Sequence, residues 1–296
     1  MIGFTVIGGY LGTGKTTLLN HLLRHNQDLR LALLINDFGD INIDGDLIES
    51  EDENQINLTN GCVCCTLSDG FFAALEQLQE MQPIPDHIIV EASGVADVAQ
   101  LSQYGNMPGL SLNGVVVVAD AETVQSKAKD KYVAQTVQRQ LAAADLLVLN
   151  KVDLVSNDRV AQVESWLTRV TEAQIVHAEH SAVPLEVVLG VYTRESRPSG
   201  HGHEHYQTWS ATTQAVPSRD ARAFVESLGR LDVLRAKGLV PLLEGGVLEL
   251  HKVGKRVTQQ LHVDQSRTHG DVIAIDLEHN LQAQALDEAV SAYLRP

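Results

Sequence analysis

The sequence predicts an α/β protein: a doubly wound, mainly parallel sheet of the P-loop NTPase type, followed by a smaller α+β domain. Three observations predict it. Short, almost wholly apolar runs alternate with amphipathic segments over the first 190 residues. A phosphate-binding pattern directly follows the first of those runs. Past residue 206 the alternation gives way to several short strands with few helices between them.

Ile2 to Ile7 is the first apolar run, and Leu31–Ile35, Ile88–Val90, Val115–Ala119, Leu146–Leu149 and Ile175–Val176 resemble it. Continuous apolar strands suit a sheet covered on both faces. Between them, Leu18, Leu19, Leu22 and Leu23 share one helical face, and Phe71, Leu75, Leu78 and Met81 keep three- and four-residue spacing. Strand and helix in alternation argue for parallel crossover units. Thr193 to His205 has Pro, Gly, Ser and charge but no apolar period, and reads as a linker. Beyond it, Ser218 is a candidate cap for a helix with Ala221, Phe224, Val225 and Leu228 on its apolar face, ended by Gly229. Strand-like stretches follow at Val233–Leu234, Val247–Leu250, Val257–Val263 and Val272–Ile275, and a last helix at about Leu281–Leu294. The expected division is a P-loop domain over 1–190, a His-containing linker over 191–206 and a second domain over 207–296.

Gly9, Gly12, Thr13, Gly14, Lys15, Thr16 and Thr17 lie in a complete P-loop pattern between a strand and a helix. Glycines let the backbone curl so that N–H groups face phosphate oxygens, and the helix N-terminus adds a favourable dipole. Lys15 is expected at the β- and γ-phosphates, and Thr16 on Mg²⁺. Asn150-Lys151-Val152-Asp153 follows a later apolar strand. A carboxylate at Asp153 accepts from guanine N1 and its exocyclic amine, where adenine would leave it unpaired. Asn150 can brace the loop, the Lys151 stem can cover the base, and Ser181-Ala182 can offer an N–H to guanine O6. Asp37 and Glu91 follow further strands, at the end of the sheet where open α/β folds bind ligands. Either can serve Mg²⁺ or orient the attacking water. Gly94 marks where backbone swings near the γ-phosphate.

The chain has three cysteines, all within four residues: Cys62, Cys64 and Cys65. Thiolates are the soft ligands that Zn²⁺, Cu⁺ and iron–sulfur centres prefer. Three of them leave a tetrahedral Zn²⁺ one exchangeable position. Inert core cysteines and a redox pair are the alternative readings. A net charge of −16 argues against a general nucleic-acid face, because phosphate backbones need Lys and Arg clusters. The apolar runs are too short to span a bilayer, and Met1 leads into glycines with no basic leader, so a cytoplasmic protein without a membrane partner is expected.

Taken in order, the P-loop, Asn36-Asp37-Phe38-Gly39, Gly61-Cys62-Val63-Cys64-Cys65, Glu91-Ala92-Ser93-Gly94 and Asn150-Lys151-Val152-Asp153 resemble the CobW-like family of metallochaperone GTPases, which includes nitrile hydratase activator-like proteins. Leu234 to Gly238 is similar to a stretch of that family's C-terminal domain. Asp40 departs from the Glu that many relatives carry after the switch glycine. The resemblance implies slow GTP hydrolysis, with GTP, Mg²⁺ and Zn²⁺ or Co²⁺ as ligands and delivery of metal to a client metalloprotein. His201, His203 and His205 resemble the His-rich loops of many members, and read equally as a polar linker. A metal-dependent homodimer stays open. Rival readings are a metal-sensing activator of one metalloenzyme, a zinc buffer with little GTPase role, and a small-molecule kinase.

Overall fold

A computed structural model describes residues 1–26, 29–36, 55–59, 67–190, 206–263, 265 and 267–294. The predicted residues Asp37, Asp40, Cys62, Cys64, Cys65 and His201 to His205 lie outside the described residues. Two compact units divide the chain, Met1–Leu185 and Glu186–Pro296.

The first unit runs β1 (Ile2–Gly8), α1 (Lys15–His25), β2 (Leu31–Asn36), β3 (Gln55–Thr59), α2 (Leu67–Glu80), β4 (His87–Ala92), α3 (Val98–Ser102), β5 (Leu110–Asp120), α4 (Val124–Lys127), α5 (Ala134–Ala143), β6 (Leu146–Asn150), α6 (Asn157–Leu167) and β7 (Gln174–Ala178). Its described strands form one sheet in the order β3-β2-β4-β1-β5-β6-β7, and every pairing is parallel. The expected doubly wound α/β architecture is therefore present. Val148, Leu149, Val116 and Ile89 are fully buried, as strands covered on both faces require. Leu18, Leu19 and Leu22 of α1 are also fully buried, each worth roughly 1.5–3 kcal/mol relative to an exposed side chain.

Register places the chemistry. Ile7 pairs with Glu91, Glu91 with Ile35, Asp120 with Asn150, and Asn150 with Ala178. The strand C-termini therefore end along one edge of the sheet. β1 is central, and the chain turns to opposite sides of it (β4 on one, β5 on the other), which creates the crevice where such sheets bind ligands.

A short helix, α7 (Leu185–Leu189), lies at the division. The second unit then runs β8 (Tyr206–Gln214), α8 (Ser218–Arg230), β9 (Arg235–Pro241), β10 (Val247–Val253), β11 (Arg256–His262), β12 (His269–Leu277) and α9 (Ala283–Tyr293). Its sheet, in the order β11-β10-β9-β12-β8, is antiparallel, as expected for the α+β domain. Phe224 and Leu228 of α8, Leu286 and Val290 of α9, and Leu250 and Val272 of the sheet form its core.

Local boundaries differ from the sequence reading. Ser218 is the first helical residue and Pro217 the cap; the Ser218 N–H and hydroxyl both donate to the Glu244 carboxylate, at 3.0 and 3.2 Å. Gly229 does not end α8, which continues to Arg230. The strand expected at Val233–Leu234 starts instead at Arg235, a buried side chain whose guanidinium donates to the carbonyls of Val187 and Val188.

Candidate functional site

The site begins with how α1 starts. Gly14, at φ 105°, is its N-cap and supplies no side-chain hydrogen bond. A side chain is disfavoured there by the left-handed backbone, and a Cβ would lie 2.5 Å from Asn150 Nδ2. The first-turn N–H groups of a helix have no intrahelical acceptor. Lys15, Thr16 and Thr17 of that turn line a cleft of about 530 Å³, together with Leu11, Gly12, Gly14, Asn150, Lys151, Asp153, Leu154 and His180. A curled glycine backbone, an uncapped helix N-terminus and a lysine are the donor set that fits a polyphosphate. The P-loop residues and Asn150-Lys151-Val152-Asp153, separated by more than 130 positions in sequence, thus share one cleft.

The junction between these two segments is heavily bonded. Asn150 Nδ2 donates to Thr13 O and to Ser181 Oγ, both at 2.8 Å, and its Oδ1 accepts from the Ser181 N–H at 2.8 Å. Ser181 Oγ donates in turn to Gly14 O at 3.0 Å. Asn150 is 2% exposed and Ser181 fully buried. Lys151 Nζ donates to Gly12 O at 2.7 Å and to Asp120 Oδ2 at 2.9 Å. Lys151, His180 and Ser181 all have positive φ, at 61°, 50° and 57°. Non-glycine residues hold that conformation only when their surroundings impose it. Here the bonds from Asn150, Lys151 and Ser181 tie the segments after β6 and β7 to the P-loop.

Ser181 and Ala182 do not present free N–H groups to a base. The Ser181 N–H is engaged by Asn150, and the Ala182 N–H donates to Glu179 O at 2.9 Å. Ser181 braces Asn150 and the Gly14 carbonyl in this structure. Asp153 and Lys151 both line the cleft.

On the phosphate side, Thr16 Oγ1 donates to Glu91 Oε1 at 3.3 Å. A hydroxyl and a buried carboxylate side by side at the helix N-terminus are hard oxygen ligands that fit Mg²⁺. Gly94 lies against the P-loop, where a Cβ would come within 2.9 Å of the Leu11 backbone nitrogen. Thr13 Oγ1 donates to Tyr10 O at 2.9 Å, closing the turn that Gly9 opens.

Asp120 is a site residue that the sequence reading missed. It ends β5, is 5% exposed, and holds Lys151 while accepting from the Glu122 and Thr123 N–H groups at 2.8 and 3.2 Å. Its signal was present: like Glu91, it is an acid at the C-terminal end of an apolar strand. Among the described residues, no group of three or more His, Cys, Asp or Glu side chains is placed to hold a metal ion.

The fold and the cleft define a P-loop nucleotide-binding protein. Residues 3–177 match the CobW/HypB/UreG nucleotide-binding domain. The zinc chaperone CobW of Sinorhizobium sp is 30% identical, over 97% of this chain and 96% of its own length. The zinc-regulated GTPase metalloprotein activator 1 of Dictyostelium discoideum is 31% identical over 62% of this chain and 47% of that protein. Among solved structures, the Zn(II)-bound YjiA GTPase from E. coli is 20% identical with a TM-score of 0.49, covering 99% of this chain and 98% of that one. The chain belongs to the CobW-like family of metallochaperone GTPases. No helix among the described residues is long and apolar enough to cross a membrane.

Proposed function

We propose that this chain hydrolyses GTP slowly and uses the cycle to take up a transition metal and deliver it to a client metalloprotein. Zn²⁺ is the first candidate and Co²⁺ the second, held by Cys62, Cys64 and Cys65. The observation that carries the nucleotide half is the shared cleft of Lys15, Thr16 and Asp153. In this reading Lys15 and the N–H groups of the first turn of α1 hold the β- and γ-phosphates. Asp153 accepts from guanine N1 and the exocyclic amine. Asp37 and Glu91 orient the attacking water, and Gly94 brings its loop to the γ-phosphate. Thr16, Asp37 and Glu91 would hold Mg²⁺, which would supply positive charge to offset the charge that develops on the phosphate oxygens. The metal half is supported by the thiolate chemistry of the Cys run and by relatives that carry zinc in their names.

The proposed organisation is a GTPase domain over 1–190, a linker over 191–206 and a CobW-type domain over 207–296. Because Cys62 lies between Asp37 and Glu91 in sequence, nucleotide and metal bias the same segments, and linkage makes the coupling reciprocal. A second reading, a metal-sensing activator of one metalloenzyme, is favoured by the name of the Dictyostelium relative.

The test is GTP turnover with and without Lys15→Ala, together with Zn²⁺ titration against a chelator in GTP and in GDP. Lys15-dependent turnover and a nucleotide-dependent zinc affinity are expected. Equal zinc affinity in both nucleotide states would refute the coupling.

A further inference from the structure

Gln140 lies on α5, whose apolar side carries Val137 and Leu141. It sits on that same side and is 2% exposed. A primary amide is costly to bury unless its groups are hydrogen-bonded. A leucine there would simply extend the apolar face. Gln140 Nε2 instead donates to two main-chain carbonyls, Gly94 O at 3.2 Å and Ala96 O at 3.1 Å. Both belong to the loop between β4 and α3, which starts directly after the strand bearing Glu91.

That loop is fixed from other sides as well. A Cβ on Gly94 would lie 2.5 Å from Leu11 Cδ2, so the loop backbone rests against the P-loop. The Ala96 N–H donates to Ser93 O at 3.0 Å. Asp97 then starts α3 by accepting from the Ala99 and Gln100 N–H groups at 3.0 and 3.2 Å. In a trans peptide the N–H and C=O point in opposite directions. Holding Gly94 O toward α5 therefore turns the Val95 N–H away from α5.

We infer that Gln140 is a positioning residue: by gripping Gly94 O and Ala96 O, it presets the Ser93–Ala96 backbone for contact with the terminal phosphate of the nucleotide. It touches no reacting atom and takes no part in proton or phosphoryl transfer. The inference rests on the GTPase reading above. A donor fixed before the reaction needs no reorganisation in the transition state, so its loss falls on kcat more than on binding.

The test uses the full chain and three variants. Gln140→Leu keeps the volume and removes both donations. It should lower kcat about 10- to 100-fold, with KM for GTP and Kd for GDP within about twofold. Gln140→Glu sets a carboxylate against two carbonyls when ionised and can donate one bond when protonated. Its kcat relative to the parent, measured per folded molecule, should recover as pH falls, whereas a merely structural role would change the folded fraction and leave kcat per folded molecule unchanged. It also serves as the second variant if Gln140→Leu does not fold. Lys15→Ala separates the two claims. If the parent shows no Lys15-dependent turnover, the GTPase reading fails and takes this inference with it. If Lys15-dependent turnover is present, unchanged kcat in folded Gln140→Leu, or a pH-independent ratio in Gln140→Glu, overturns the inference alone.

Discussion

Asn150→Ala tests whether the bonded junction, and not the Asp153 carboxylate alone, governs nucleotide affinity. The side chain makes three hydrogen bonds of 2.8 Å, two to Ser181 and one to Thr13 O, all shielded from water. At roughly 1 kcal/mol net per bond, the truncation should remove about 3 kcal/mol from the stability of the first unit. Some of this returns through relaxation. His180 and Ser181 occupy left-handed backbone that costs roughly 1–2 kcal/mol each, and without the Asn150 brace they can leave it. Relaxation restores stability at the expense of the cleft, because a bound nucleotide must then force the loop back. An affinity penalty of about 2 kcal/mol, some 30-fold, is the expected result. Urea denaturation measures the first quantity, and titration with a fluorescent guanine nucleotide the second. The preference for guanine over adenine should survive, since Asp153 is untouched. Stability within about 0.5 kcal/mol of the parent, combined with affinity within twofold, would refute the reasoning, because three buried bonds cannot vanish without effect on either.

Three further outcomes are expected. Asp153→Asn replaces one acceptor oxygen by a donor; GTP affinity should fall about 100-fold while a xanthine nucleotide, with oxygen in place of the amine, gains, and competition binding reads both. Gly94→Ala drives a Cβ against Leu11, with its backbone nitrogen 2.9 Å away, and should reduce GTP turnover about tenfold with little loss of global stability, seen by comparing kcat with the denaturation midpoint. In the second unit, burial pushes the Asp276 carboxyl up to about 6, with neighbouring Asp232 adding to the shift and the hydrogen bond from the Leu277 N–H opposing it. A raised pKa means that the folded form binds the proton more tightly. The contribution is therefore full below the unfolded value near 3.8 and is lost as pH rises through about 6, on the order of 3 kcal/mol in all. Asp276→Asn should remove that slope; parallel stability profiles between pH 4 and 8 for parent and variant would count against it.

What the sequence showed follows from how local each signal is. The P-loop was legible because glycines, lysine and threonine at fixed spacing encode one turn, and the central strands because full burial on both faces demands unbroken runs such as Val115 to Ala119. β8 was missed: Tyr206 to Gln214 is a mostly exposed, Thr-rich edge strand with little apolar alternation. β9 was misplaced because Arg235 and Lys237 read as polar, whereas Arg235 is buried against carbonyl groups of α7 that no local pattern reveals. The same holds at the site. Asn150 and Lys151 were readable as a motif, but their partners Thr13, Gly12 and Asp120 lie between 31 and 139 positions away.

These long-range bonds explain why so much polar side chain is buried at one edge of an otherwise apolar sheet. Asn150, Ser181, Asp120 and Gln140 are each at most 5% exposed, and an apolar core of the same volume would avoid their desolvation. Each of the four also makes a long-range bond that helix or strand geometry would not supply. Asn150 and Ser181 hold the carbonyls of Thr13 and Gly14, Asp120 holds the lysine that reaches Gly12, and Gln140 holds the carbonyls of Gly94 and Ala96. Each acceptor belongs to a loop that joins a strand to a helix, and a carbonyl tied back into the protein turns the N–H of the same trans peptide the other way. In the proposed reading, such bonds place the energetic cost of ordering the cleft in folding and leave binding energy for the phosphates and the base.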